Sequence, residues 1–87
     1  MHKSHPGIIP RLRRAEGHLR SIIEMIEAGR PCLDLAQQLH AVESAVANAK
    51  RELIYDHIEH CLTDGVEAGS STPKAALTEF KAVAKYL

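Results

Sequence analysis

The chain has 87 residues with a formal net charge of zero, and its two Tyr and one Phe leave Leu, Ile, Val and Ala to form the core. This length allows one domain, and a domain this small buries a limited share of its surface when it folds alone. No apolar run reaches the roughly 18 residues that span a bilayer. Two cysteines without a signal peptide predict a reduced, cytoplasmic protein and disfavour a disulfide between Cys32 and Cys61.

Residues 1–6 are predicted to form a flexible polar tail that ends at a proline, followed by a first helix over about 7–28. Gly29 predicts a left-handed cap at the end of this helix. Apolar residues recur in it every three or four positions, as on one buried helix face: Ile8, Leu12, Ala15, Leu19, Ile22, Ile23 and Ile26.

A second, longer helix is predicted over about 31–63, with Pro31 in the first turn, where its missing N–H is tolerated. At 1.5 Å per residue this helix spans roughly 50 Å, more than the first helix can cover. A helix from another subunit is therefore expected along its apolar seam. The seam has nearly heptad spacing: Leu35, Leu39, Val42, Val46, Ala49 and Leu53.

Residues 64–72 are rich in small and polar side chains and predict a loop. Thr72 and Pro73 then suit the N-cap and first position of a third helix over about 73–86. The predicted fold class is all-α: a single domain over residues 1–87, with three helices and a dominant central one.

The candidate metal ligands lie on the second helix. His57 and Cys61 are four residues apart and share a helix face, with His60 beside them. Such a pair can chelate a cation, although a buried Cys and a surface His are also common without one. Cys32 lies 25 residues before His57, or roughly 37 Å along a straight helix. Cys32 can therefore join the pair only from a second, antiparallel copy, and two-fold symmetry then gives two equal sites.

With these candidate ligands and the segments named below, the sequence resembles the CsoR/RcnR family of bacterial metal-sensing repressors over nearly its whole length. The likeness rests on residues 11–17 (Arg-Leu-Arg-Arg-Ala-Glu-Gly), 29–32 and 37–39, and on the spacing of Cys32, His57 and Cys61. It implies a disc-shaped tetramer, built as a dimer of antiparallel dimers. It also implies a regulator that binds operator DNA when apo and releases it when the inducer binds. The sequence itself contains no Ser/His/Asp set or phosphate loop, so an enzyme is not expected.

Two thiolates and one imidazole suit Cu(I), whereas added nitrogen ligands adapt the same set to Ni(II) or Co(II). The nickel and cobalt sensors of the family take such nitrogens from the N-terminal tail, where this chain has His2 and His5. Residues 56–61, which include His60, also resemble the nickel and cobalt branch. The sequence therefore predicts a Ni(II)/Co(II) sensor, with a Cu(I) sensor as the alternative.

Three further alternatives remain. Formaldehyde sensors of this family carry Pro after the initiator Met, where this chain has His2, and persulfide sensors lack the histidine that stands here as His57. A metal-buffering protein would use the same ligands as a sensor. DNA binding by the apo protein separates that rival from a repressor.

No helix-turn-helix or zinc-finger pattern is visible, so DNA contact is predicted to come from a basic surface. Arg11 and Arg14 occupy positions where the resembled family places DNA-contacting basic residues. The other candidates rest on charge alone: Arg13, Arg20, Lys50 and Arg51.

Overall fold

The computed structural model describes residues 5–68 and 73–87, and its side chains over 6–59, 74–75 and 77–87. These residues form a short 3₁₀ turn, His5–Gly7, and three α-helices: α1 (Ile8–Glu27), α2 (Cys32–Ala68) and α3 (Pro73–Ala84). The predicted all-α class is confirmed, with no strand in these ranges. None of the helices so described is long and apolar enough to cross a membrane.

α1 ends in a Schellman motif at the predicted glycine. Gly29 has a φ of 76°, and its N–H donates to the Ile26 carbonyl at 3.0 Å. The Arg30 N–H donates to the Met25 carbonyl at 3.1 Å. These two bonds satisfy carbonyls that the last turn would leave unpaired, and they turn the chain back toward α2.

α2 differs from its predicted bounds at both ends. Pro31 precedes the helix, and its carbonyl accepts the Leu35 N–H at 3.2 Å. At the other end the helix continues to Ala68, so the loop predicted over 64–72 is wrong for residues 64–68. Asp64 and Gly65 are poor helix formers, but an interior Gly costs only about 1 kcal/mol. A helix already propagated over many turns tolerates that cost.

The other boundaries shift by one or two residues. Residues 5 and 6, predicted to belong to the tail, lie in the 3₁₀ turn, and the φ to which a proline ring is restricted suits that geometry. α3 ends at Ala84 rather than at residue 86. The N–H groups of Tyr86 and Leu87 there donate to carbonyls three residues back, which tightens the last turn. Thr72, the predicted N-cap of α3, lies outside the described residues.

The core is the contact between α1 and α2. Ile8, Ala15 and Ile22, spaced seven residues apart, are the buried residues of α1. Val42 and Ala49, also seven apart, are buried on α2. α3 packs on the later part of α2, beside the buried Ile54.

The predicted seam of α2 divides into two rows. Val42 and Ala49 face α1, whereas Leu39, Val46 and Leu53 remain 45%, 42% and 39% exposed. α1 carries a matching exposed row seven residues apart. Counted at 100° per residue from the buried Ala15 and Val42, both rows fall on the same side of this antiparallel helix pair. They are termed the apolar face: Leu39, Val46 and Leu53 of α2 with Leu12, Leu19 and Ile26 of α1.

The chain is elongated. Its radius of gyration is 17.8 Å, whereas a compact domain of this length has about 12 Å. Its accessible surface is 6679 Å², against about 5,100 Å² for a compact monomer of its mass. The excess surface includes the apolar face, so a single chain leaves much of its hydrophobic area in water.

The cap at Gly29 predicts opposite effects for two glycine substitutions. Gly29→Ala places a Cβ in the left-handed region and should lower the free energy of unfolding by about 1–2 kcal/mol. Gly17 lies inside α1, where an added Cβ would meet open space, so Gly17→Ala should raise it by about 0.5–1 kcal/mol.

Urea unfolding followed by far-ultraviolet circular dichroism, at one protein concentration, measures both changes. Equal effects of the two alanines would contradict the assigned cap.

Candidate functional site

The predicted ligands Cys32 and His57 lie far apart along one continuous helix. Cys32 is the first residue of α2 and has an exposed, free thiol. His57 lies in the later part of α2, where its side chain is 25% exposed. The long axis of the chain measures 56 Å, which agrees with about 55 Å for a straight helix of this length.

His57 contacts α3. Its Nε2 donates a hydrogen bond to Oε1 of Glu79 at 2.9 Å. Leu53, Ile54 and Val83 line the same site, a cavity of about 270 Å³ between α2 and α3. With the proton on Nε2, the lone pair of the neutral ring lies on Nδ1, the atom that could bind a cation. A carboxylate that fixes the tautomer in this way is the usual outer partner of a metal-binding imidazole.

The helix keeps Cys32 and His57 apart within one chain. Their separation of 25 residues corresponds to roughly 37 Å. Among the described side chains, no three His, Cys, Asp or Glu residues lie close enough together to hold a metal ion. A site that uses both Cys32 and His57 therefore requires a second chain.

The helical register places these positions on the side of α2 that carries the apolar face. At 100° per residue, positions 32, 57 and 61 fall within an arc of about 80° that also contains Leu39, Val46 and Leu53. The candidate ligands thus flank the exposed row, with Cys32 before it and positions 57 and 61 after it. A helix that covers the row would also reach both ends.

The side chains of the other predicted ligands lie outside the described residues. Residues 60 and 61 belong to α2, but the side chains of His60 and Cys61 lie outside the described residues. His5 begins the 3₁₀ turn, and its side chain is also outside them, as is all of His2.

Two histidines that the sequence analysis did not select have protein partners. Nε2 of His18 lies 2.5 Å from Oε1 of Gln38, in a half-buried contact between α1 and α2. His40 is exposed and lies 3.6 Å from Glu43, one turn along α2.

The predicted DNA-binding residues are all exposed, but they do not form one patch. Arg11 and Arg14 line a cleft between α1 and α2. Arg51 lies beside that cleft and donates to Oδ1 of Asn48. Arg13 and Arg20, seven residues apart, share a different face of α1.

Sequence reasoning missed two acidic residues. Glu79 binds His57 from α3, and Glu52 pairs with Arg11. Both partners are distant in sequence, so no local spacing could identify either contact.

Comparison with known proteins identifies the family. The family model described as "Metal-sensitive transcriptional repressor" matches residues 4–86. The copper-sensing transcriptional repressor CsoR of Bacillus subtilis (strain 168) is 39% identical over 67 residues, covering 77% of this chain and 66% of its own length. The copper-sensing transcriptional repressor RicR of Mycobacterium tuberculosis (strain ATCC 25618 / H37Rv) is 39% identical over 72 residues, covering 83% and 75%.

Two solved structures share the fold. The nickel-responsive transcriptional regulator InrS superposes with a TM-score of 0.82 at 30% identity, covering 100% of this chain and 97% of its own. The copper-sensing repressor CsoR with Cu(I) from Geobacillus thermodenitrificans NG80-2 gives 0.81 at 29% identity, covering 98% and 86%. Because the family model matches nearly the whole of this chain, the chain belongs to the metal-sensitive transcriptional repressors, the CsoR/RcnR family.

Proposed function

We propose that this protein binds operator DNA in the absence of metal and releases it when a metal ion binds between two subunits. The observation that carries this proposal is the position of Cys32 and His57 at opposite ends of an exposed apolar row on one straight helix. A partner helix that covers the row would complete the ligand set at both ends.

The register of α2 favours an antiparallel partner related by a two-fold axis near Val46. Leu39 and Leu53 each lie seven residues from Val46. Leu39 of one chain would therefore meet Leu53 of the other across the axis. Cys32 lies fourteen residues before Val46, and positions 57 and 61 lie eleven and fifteen after it. One pairing therefore brings leucine to leucine and Cys32 to the segment 57–61, and symmetry makes two equal sites.

The donor set fits a thiophilic metal. Cys32 offers an exposed thiol, Cys61 supplies a second by sequence, and Glu79 orients the ring of His57. A bound ion would supply bonds that join the two chains. Because the same His57 contacts α3 through Glu79, a change at the ligand would be transmitted to the packing of α3 on α2.

Cu(I) is the first candidate for the inducer, and this reverses the order of metals that the sequence predicted. The relatives compared above are named as copper-sensing, and two thiolates with one imidazole form a soft set that suits Cu(I). Ni(II) is the second candidate, because the similar structure InrS is nickel-responsive. His2 and His5 would then supply the further nitrogens that Ni(II) prefers.

The DNA contact is proposed for the basic side of the helix pair. Arg11, Arg14 and Arg51 lie at the cleft between α1 and α2, on the opposite side from the apolar face. A partner chain docked on the apolar face would leave these cations in solvent. Cations from several subunits would then reinforce attraction to phosphates, and that attraction weakens with salt.

The first prediction concerns assembly. Val46→Glu would place two carboxylates against each other at the proposed axis, where burial of an unpaired charge costs several kcal/mol. Sedimentation velocity should show a dimer dissociation constant raised at least about a hundredfold. Ser44→Glu is the matched control, since residue 44 is exposed on the far side of α2 and its substitution should leave assembly unchanged. Equal behaviour of the two variants would exclude the proposed pairing.

The second prediction concerns the metal response. In the wild type, metal should weaken binding to duplex DNA from upstream of the gene by at least about tenfold, within the usual range of allosteric coupling. Cys32→Ala should bind the same DNA but change its affinity less than about twofold on metal addition. His40→Ala removes an exposed histidine from the same helix and should respond as the wild type does.

Fluorescence anisotropy under anaerobic conditions measures these affinities. A Cys32→Ala protein that still releases DNA with metal would refute the assigned ligand. A wild-type protein that binds metal but no DNA would favour the metal-buffering alternative.

The third prediction distinguishes the metals. In buffered titrations, Cu(I) should release the DNA at lower free concentration than Ni(II) or Co(II). A His2→Ala/His5→Ala variant should keep its Cu(I) response, because the proposed Cu(I) set does not use the tail. Loss of the metal response in that variant, with Ni(II) acting at the lower concentration, would instead establish the nickel assignment.

A further inference from the structure

A cleft of about 400 Å³ lies between α1 and α2, and the helical register of its lining residues places it on the side away from the apolar face. Three polar side chains line it besides His18: Arg11 and Arg14 from α1 and Asn48 from α2. Ala15 and Ala45 also line it, and their small side chains leave the space open. His18 directs its Nε2 to Gln38, so the other three supply the cleft with hydrogen-bond donors.

Two of these donors are available to an anion. Arg14 forms no ion pair with any side chain in the described part of the chain. Asn48 accepts a hydrogen bond from Arg51 through Oδ1, and this fixes the amide so that its NH₂ group is left to donate. A guanidinium and an amide N–H₂ are typical partners of phosphate oxygens.

The third donor is held by an acid of the same chain. Arg11 on α1 pairs with the Glu52 carboxylate on α2. Both side chains are about half exposed, 49% and 52%, and an ion pair in that setting contributes little to stability. A phosphate that approached Arg11 would find the guanidinium occupied by a weakly bound internal anion.

We propose that the cleft binds a phosphodiester group of DNA through Arg11, Arg14 and Asn48, and that Glu52 competes with that phosphate for Arg11. This inference rests on the proposed repressor function. Glu52 then lowers affinity for every duplex, because each docking event separates it from Arg11. Arg51 acts as a positioning residue, since it orients the amide of Asn48.

Removal of the Glu52 charge tests the competition. Glu52→Gln should bind duplex DNA about fivefold more tightly, because DNA no longer has to break the Arg11–Glu52 ion pair. A fivefold gain corresponds to the upper range of stabilising free energy for an exposed ion pair. The dependence of log affinity on log salt should also steepen, because a displaced Glu52 takes up a cation that partly offsets the ions released from DNA.

Two controls separate this mechanism from a general loss of negative charge. Glu43→Gln removes an exposed carboxylate from the same helix, one that lies beside His40 rather than an arginine, and should change affinity less than about twofold. In an Arg11→Gln background, Glu52→Gln should give no gain, as a double-mutant cycle requires for groups that act on each other. A gain that persists without Arg11, or an equal gain in Glu43→Gln, overturns the proposal.

The remaining outcomes distinguish the two hypotheses and the source of the phosphate. A wild-type chain that binds no duplex overturns both the repressor function and this inference. Wild-type binding that depends on Arg14 but ignores Glu52 overturns the inference alone. Inorganic phosphate exchanged for chloride at constant ionic strength should leave DNA affinity unchanged. Displacement of DNA by that exchange would assign the cleft to a small free anion instead.

Discussion

The length and stiffness of α2 constrain every other part of this protein. A helix of 37 residues is about 55 Å long, and α1, with 20 residues, covers a little more than half of it. Side chains at the two ends of such a rod cannot approach each other by bending, because a continuous α-helix curves only gently. Any chemistry that needs both ends must therefore be completed by another molecule, and the uncovered apolar face offers the surface for it.

The two sides of the helix pair differ in chemical character. Residues on the side of Val46 are apolar and flanked by candidate ligands, whereas residues around Asn48 form a cationic cleft. Because α2 contributes to both sides, a small rotation of α2 against α1 would alter both surfaces at once. This is the simplest physical route by which occupancy of a site on the apolar side could change affinity for DNA on the other.

Much of this arrangement could be predicted from sequence because it depends on helical periodicity. The three helices, the cap at Gly29 and the separation of Cys32 from His57 all follow from spacing along one element. The end of α2 was predicted five residues early, since Asp64 and Gly65 resemble a loop when propensity alone is considered. The contacts of Glu79 and Glu52 could not be predicted, because they join helices whose relative rotation is set by packing. The metal could not be ranked by spacing either, because the same three ligands suit more than one ion.

A site shared between two chains, as proposed above, has a consequence for mixed populations of subunits. In the proposed antiparallel pair, each site takes Cys32 from one chain and His57 from the other. Consider a heterodimer of a chain that lacks Cys32 with a chain that lacks His57. Both lesions then fall in the same site, and the second site regains all of its ligands. Two alleles that are each inert as homodimers would thus complement each other, whereas two alleles with the same lesion would not.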